Sequence, residues 1–164
     1  MKIIVFRAKT LLIVCLIIGV LLSTLYTPAV QSVFSASNGR SLPIYSVQTE
    51  EKKIAIGINC AWDDSDIPAM LSCLAEQEVN ATFFLLGEWA EKYPVSAATI
   101  AKSGQEIGSH SYSHRDLDSL SQSEILNEIS QSQQSIQKAC GQTPVLFRPP
   151  SGSYNDTVID LSLI

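Results

Sequence analysis

His110 and His114 lie four residues apart in Gly108-Ser-His-Ser-Tyr-Ser-His114, and they are the two histidines of the chain. On a helical turn that spacing points two imidazoles the same way, so both can bind one ion. Imidazole suits Zn2+, Co2+ or Ni2+. A catalytic zinc takes about three protein ligands and keeps one position for water. A carboxylate from Asp63 or Asp64 would complete such a set. Both sit in the acidic run Asp63-Asp64-Ser65-Asp66. The run also suits a helix start, where the dipole favours acid and Asp66 or Ser65 serves as N-cap. Arg148, just before Pro149-Pro150, can orient a buried carboxylate. Cys60 and Trp62 read as packing residues, Trp62 less readily as a platform for a sugar. Tyr154 and Asn155 fit ligand contact or a turn.

The elements that must hold these residues alternate. Lys53–Asn59, Ala81–Gly87, Glu106–Ser109 and Val145–Phe147 read as strands. Ile67–Glu78 and Pro94–Lys102 read as helices opened by a proline in the first turn. Gly104 suits a left-handed cap after the second of them. Ser121-x-x-Glu124 is a capping-box pattern and starts a helix that runs to about Lys138 and ends at Gly141. Asp156–Leu163 reads as a last helix. Four strand–helix units with strands apolar on both faces imply a parallel sheet covered on both sides, open or barrel-like. A full barrel takes about 250 residues, and about 110 follow residue 52. The acidic run, the histidine pair and Arg148 each follow a strand, so all three meet on one rim.

Residues 1–36 carry Lys2, Arg7 and Lys9, then the apolar run Leu11–Tyr26. This pattern is that of a signal peptide or an uncleaved membrane anchor. The anchor reading places the remainder outside the cytoplasm at the cell membrane, and cleavage would make it secreted. Residues 37–52 read as a linker and residues 53–164 as the domain. Eight of the 11 bases and all 16 acids lie beyond residue 39. That acidic balance disfavours nucleic acid and leaves neutral partners such as a glycan. Beyond Cys15 in the apolar run, Cys60, Cys73 and Cys140 allow one disulfide without assigning it.

Four stretches, INCAWDDSDIPAML, ATFFLLGEWAEKYP, GQEIGSHSYSH and LFRPPSGSYNDTV, together resemble the polysaccharide deacetylases of the NodB-homology type, carbohydrate esterase family four. The likeness runs from about residue 46 to the end. It implies a distorted (β/α) barrel, present here as a partial barrel of about four βα units. It also implies metal-dependent removal of acetyl groups from N-acetylglucosamine or N-acetylmuramic acid in peptidoglycan or a chitin-like polymer. His110 and His114 match the family's Zn2+ or Co2+ ligands, and Asp64 is the expected third. Arg148 matches the arginine that holds the catalytic base, and the Ser151 N–H matches an oxyanion donor. Tyr154 falls in the same stretch, as a candidate substrate contact. The base itself falls on Asn59, a carboxamide that cannot take a proton. A shorter alignment would make Asp63 the base. Gln105 stands where the family often has histidine. The family's acidic-Trp and Leu-His motifs would follow Ile164, which reads as C-terminal truncation. The resemblance thus implies a deacetylase of doubtful activity, with an inactive glycan- or metal-binding protein, or a non-functional fragment, as the alternative.

Overall fold

The computed structural model describes residues 41–163. The signal or anchor read over residues 1–36 lies outside them, as does the start of the linker. Among the described residues no helix is long and apolar enough to cross a membrane.

The sheet is parallel, in the order β1 (Gly57–Cys60), β2 (Thr82–Leu85), β3 (Glu106–Ser109). Gly57 pairs with Thr82 and Cys60 with Leu85, and Thr82 pairs in turn with Glu106. The central strand is buried on both faces. Phe83 and Leu85 have no exposed surface and Phe84 almost none, as parallel strands require. β1 is shorter than expected. Ile54 is 89% exposed, and ladder pairing begins only near Ile56, whose carbonyl accepts from Thr82 N.

The fourth strand does not form. Pro144 and Pro149 bracket just four residues, and a proline has no N–H for a ladder. What remains is one parallel bridge between Ser109 and Phe147, with Ser109 N donating to Leu146 O and Arg148 N to Ser109 O. Three strands and a bridge therefore stand where four strands are expected.

The helices of the described residues are α1 (Ile67–Glu76), α2 (Gly87–Lys92), α3 (Pro94–Lys102), α4 (Gln122–Cys140) and α5 (Asp156–Ser162). Pro68 lies in the first turn of α1 and Pro94 opens α3. The capping box of α4 is formed in both directions between Ser121 and Glu124, and Gly141 closes the helix at φ 77°. Asn155 caps α5 by accepting from Val158 N at 3.0 Å, so its polar role is local. Asp66 precedes α1 without a side-chain cap bond.

α2 falls where the second strand was expected to end. Leu86 offers no side-chain cap. The first amides, Gly87 N and Glu88 N, donate instead to Ser111 O and Tyr112 O in the histidine loop. A side chain at residue 87 would collide with the Tyr112 ring and come within 3.0 Å of Ser132 Cα, so this close approach needs glycine.

The larger core gathers β1, β2 and β3 with α1, α2, α3 and Ile136 of α4. A smaller one joins Leu117, Ile125, Ile129 and Val158. Ahead of β1 the chain is tied to α5. Ser41 N donates to Asp156 Oδ1 at 3.0 Å, Ser41 Oγ to Asp160 Oδ1 at 3.1 Å, and the Tyr45 and Tyr154 hydroxyls pair. Cys60, Cys73 and Cys140 are all free thiols.

Trp89 is 2% exposed and donates Nε1–H to Asp63 O at 3.0 Å, which joins α2 to the loop after β1. Truncating a buried tryptophan costs about 3–5 kcal/mol. Trp89→Ala is expected to lose that much in urea unfolding, and Trp89→Phe distinctly less, because the ring volume largely remains.

Candidate functional site on the strand-end rim

Because the strands are parallel, their carboxyl ends share one rim. His110 leaves it directly after β3. The histidine pair does not sit on a helical turn as expected. It lies in a loop in which Ser111 and His114 adopt positive φ, 71° and 62°. Such a conformation is uncommon for side-chain-bearing residues and needs outside support.

Glu128 of α4 supplies that support. Its Oε2 accepts from Ser111 Oγ (2.7 Å), Tyr112 N (3.1 Å) and Ser113 N (2.9 Å). Its Oε1 accepts from Ser113 Oγ at 2.6 Å. The three residues between the histidines are thus bound to one buried carboxylate. Burial acts to raise the Glu128 pKa, but the hydrogen bonds from Ser113, Ser111 and Tyr112 outweigh it and hold the group below its ordinary 4.5. Sequence reasoning missed this residue. The available signal was an acid on the otherwise buried face of α4, between Ile125 and Ile129.

The two imidazoles stand edge to face, with ring centroids 5.3 Å apart. His110 is 2% exposed, and its Nδ1 lies 2.7 Å from Arg148 O. A carbonyl only accepts, so Nδ1 carries the proton and Nε2 keeps its lone pair. This is the carbonyl support that metal-binding histidines commonly have. Burial pushes the His110 pKa below 6.5, the bond to Arg148 O opposes this, and the charges of His114 and Arg148 add to the lowering.

Asp64 does not join them. Its Oδ2 accepts from Ser96 Oγ of α3 at 2.5 Å, and its carbonyl accepts from Ile67 N at the start of α1. Among the described residues no group of three or more His, Cys, Asp or Glu side chains is arranged to hold a metal ion. The donor set here is two imidazoles, one short of the usual catalytic set. Asp63 is exposed, and its Oδ1 accepts from Ser65 in the same turn.

Arg148 ties the rest together. Its carbonyl holds His110, and its Nη1 donates to Asn59 Oδ1 at 2.8 Å. Its guanidinium lies 3.9 Å over the Phe84 ring. A Cβ on residue 57 would collide with Nη2, so glycine there leaves the space in which the guanidinium lies. The structure thus brings Arg148 and Asn59 together as a guanidinium and an amide. Ser151 is exposed at φ 56° in a short 3-10 turn (Pro150–Gly152). Tyr154 is half-buried against the smaller core, with its hydroxyl engaged by Tyr45. Gln105 is buried, and its Oε1 accepts from Ala81 N at 2.8 Å. Cys60 is buried, and burial followed by the nearby Asp66 pushes its thiol up to about 12, so it is inert as a nucleophile. Trp62 does not pack: it is 85% exposed.

Residues 46–162 match the family profile described as polysaccharide deacetylase. The chain belongs to the polysaccharide deacetylase family. YlxY, an uncharacterized protein of Bacillus subtilis, is 38% identical over 120 residues, covering 73% of this chain and 38% of YlxY. The peptidoglycan-N-acetylmuramic acid deacetylase PdaC of the same organism is 38% identical over 115 residues, covering 68% of this chain and 24% of PdaC. In three dimensions the chain is similar to BA3943 of Bacillus anthracis, described as a CE4 family pseudoenzyme, with a TM-score of 0.67 and 35% identity over 69% of this chain and 40% of that one. A BA3943 mutant with restored enzymatic activity matches equally well. The chain spans less than half the length of each.

Two steps in stability against pH are expected. A group with a depressed folded pKa contributes stability above its unfolded pKa and loses it as pH falls. His110 gives a step below pH 6.5 and Glu128 one below pH 4.5. Denaturant midpoints across pH 3–8 in His110→Gln and Glu128→Gln should each lack one step. Glu128→Ala should cost about 3 kcal/mol, because it strands four donors.

Proposed function

We propose that this deacetylase-family domain recognises an N-acetylated polysaccharide of the peptidoglycan or chitin type and, with Asn59 in place, does not hydrolyse its amide bonds. One observation carries the reading: the Arg148 guanidinium holds a carboxamide at 2.8 Å. A general base must accept a proton from water. The Asn59 amide, held by Arg148, cannot. The substrate class comes from the relatives, since PdaC is named for action on N-acetylmuramic acid in peptidoglycan. The likeness to a pseudoenzyme supports a rim kept without turnover.

The partial (β/α) barrel belongs to the same reading, supported by the parallel sheet and its match to CE4 domains. So does placement outside the cytoplasm, anchored or secreted, which rests on the charge and apolar pattern of residues 1–36. A bound Zn2+ or Co2+ would find the two imidazoles of His110 and His114, and when bound would polarise an amide carbonyl. The intact histidine pair is what favours the second reading, a working deacetylase.

The full chain, incubated with chitopentaose, should bind it saturably and release no acetate above a protein-free blank. Acetate release abolished by His110→Ala would overturn the binding-only reading. In Asn59→Asp the new carboxylate gains a charge-assisted bond from Arg148, and its pKa should fall below the ordinary value of about 3.9. NMR titration of the introduced carboxyl checks this. A value at or above the ordinary one would show that Arg148 does not face the base position.

A further inference from the structure

Trp62 displays nearly its whole indole, 85% of its surface, on the rim directly after β1. Tryptophan is highly buried on average, and an exposed large apolar surface beside polar groups is the informative case. The indole is not on a loose loop. Trp89 Nε1 donates to Asp63 O at 3.0 Å, and Ile67 N donates to Asp64 O at 3.2 Å, so both following residues are fixed. Ile58 and Ala61 before it pack against the core. A rigid aromatic in this setting loses little entropy on binding.

Beside the indole is a small pocket, lined by Ile58, Asn59, Trp62, Asp63, Asp66 and Met70. It offers an apolar floor, one amide and two carboxylates. A pyranose ring has the matching chemistry, an apolar face of C–H groups and an edge of hydroxyls that donate to carboxylates. The acidic run opposes a polyanion, which leaves a neutral sugar. We infer that Trp62 is the stacking platform of a sugar subsite on the rim, where one neutral N-acetylhexosamine ring of the polymer lies against the indole while Asp63 and Asp66 accept from its hydroxyls. This rests on the glycan-recognition reading above and names the side chains that make the contact.

The test is calorimetric titration of the full chain with chitopentaose, together with its tryptophan emission. Trp62→Ala should weaken binding about tenfold, near the upper range of an aromatic contact. Trp62→Phe should retain most of the affinity. Both should melt with the parent protein, because the side chain touches little. Emission should shift on titration in the parent and stay constant in Trp62→Phe, where the buried Trp89 is the remaining indole. Undiminished affinity in Trp62→Ala would overturn the subsite and leave glycan recognition standing. No binding by the parent chain would overturn both.

Discussion

The buried carboxylate of Glu128 is the constraint on which the rest of the rim depends. It lies on α4, and it receives two hydroxyls and two amides from the segment between the two histidines. Two of those loop residues pass the constraint on, since Ser111 O and Tyr112 O receive the first amides of α2. The start of a helix and the direction of two imidazoles therefore share one anchor. A buried charge is costly unless its lone pairs are filled. Here four donors fill them, and two positive-φ backbones are maintained in exchange.

The second anchor is Arg148, which works through both ends of the residue. Its carbonyl sets the tautomer of His110, and its guanidinium reaches across the sheet end to Asn59 over the face of Phe84. The glycine at 57 leaves the room in which that guanidinium lies. A guanidinium–amide pair therefore stands at the end of β1, joined by one hydrogen bond. A carboxamide offers the guanidinium one acceptor oxygen, where a carboxylate would offer two.

Local signals explain what was legible in the sequence. Pro94, Gly104 and the Ser121–Glu124 box mark helix ends by rules that act within a few residues, and those ends fall where expected. The illegible parts share a cause, dependence on distant partners. α2 has no cap of its own and borrows acceptors from the histidine loop. That loop is no helical turn, because Glu128 stabilises another shape. Asp64 was expected beside the histidines, but Ser96, on a helix whose position the sequence does not specify, is its partner. Trp62 looked like core from its residue type alone. Its exposure is set by which way the loop after β1 is turned, and that loop is held by Trp89.

The tie between the entry segment and α5 has a mechanical meaning. Ser41 is bonded to Asp156 and Asp160, and Tyr45 to Tyr154, at the opposite end of the domain's sequence. The chain thus enters the domain beside its last helix. A pull transmitted through the residues before Ser41 is borne first by this seam, and only after the seam has parted does it load the backbone leading to β1. The strand ladder and the histidine loop are cushioned from strain arriving along the preceding chain, as a cable clamp spares the joint behind it.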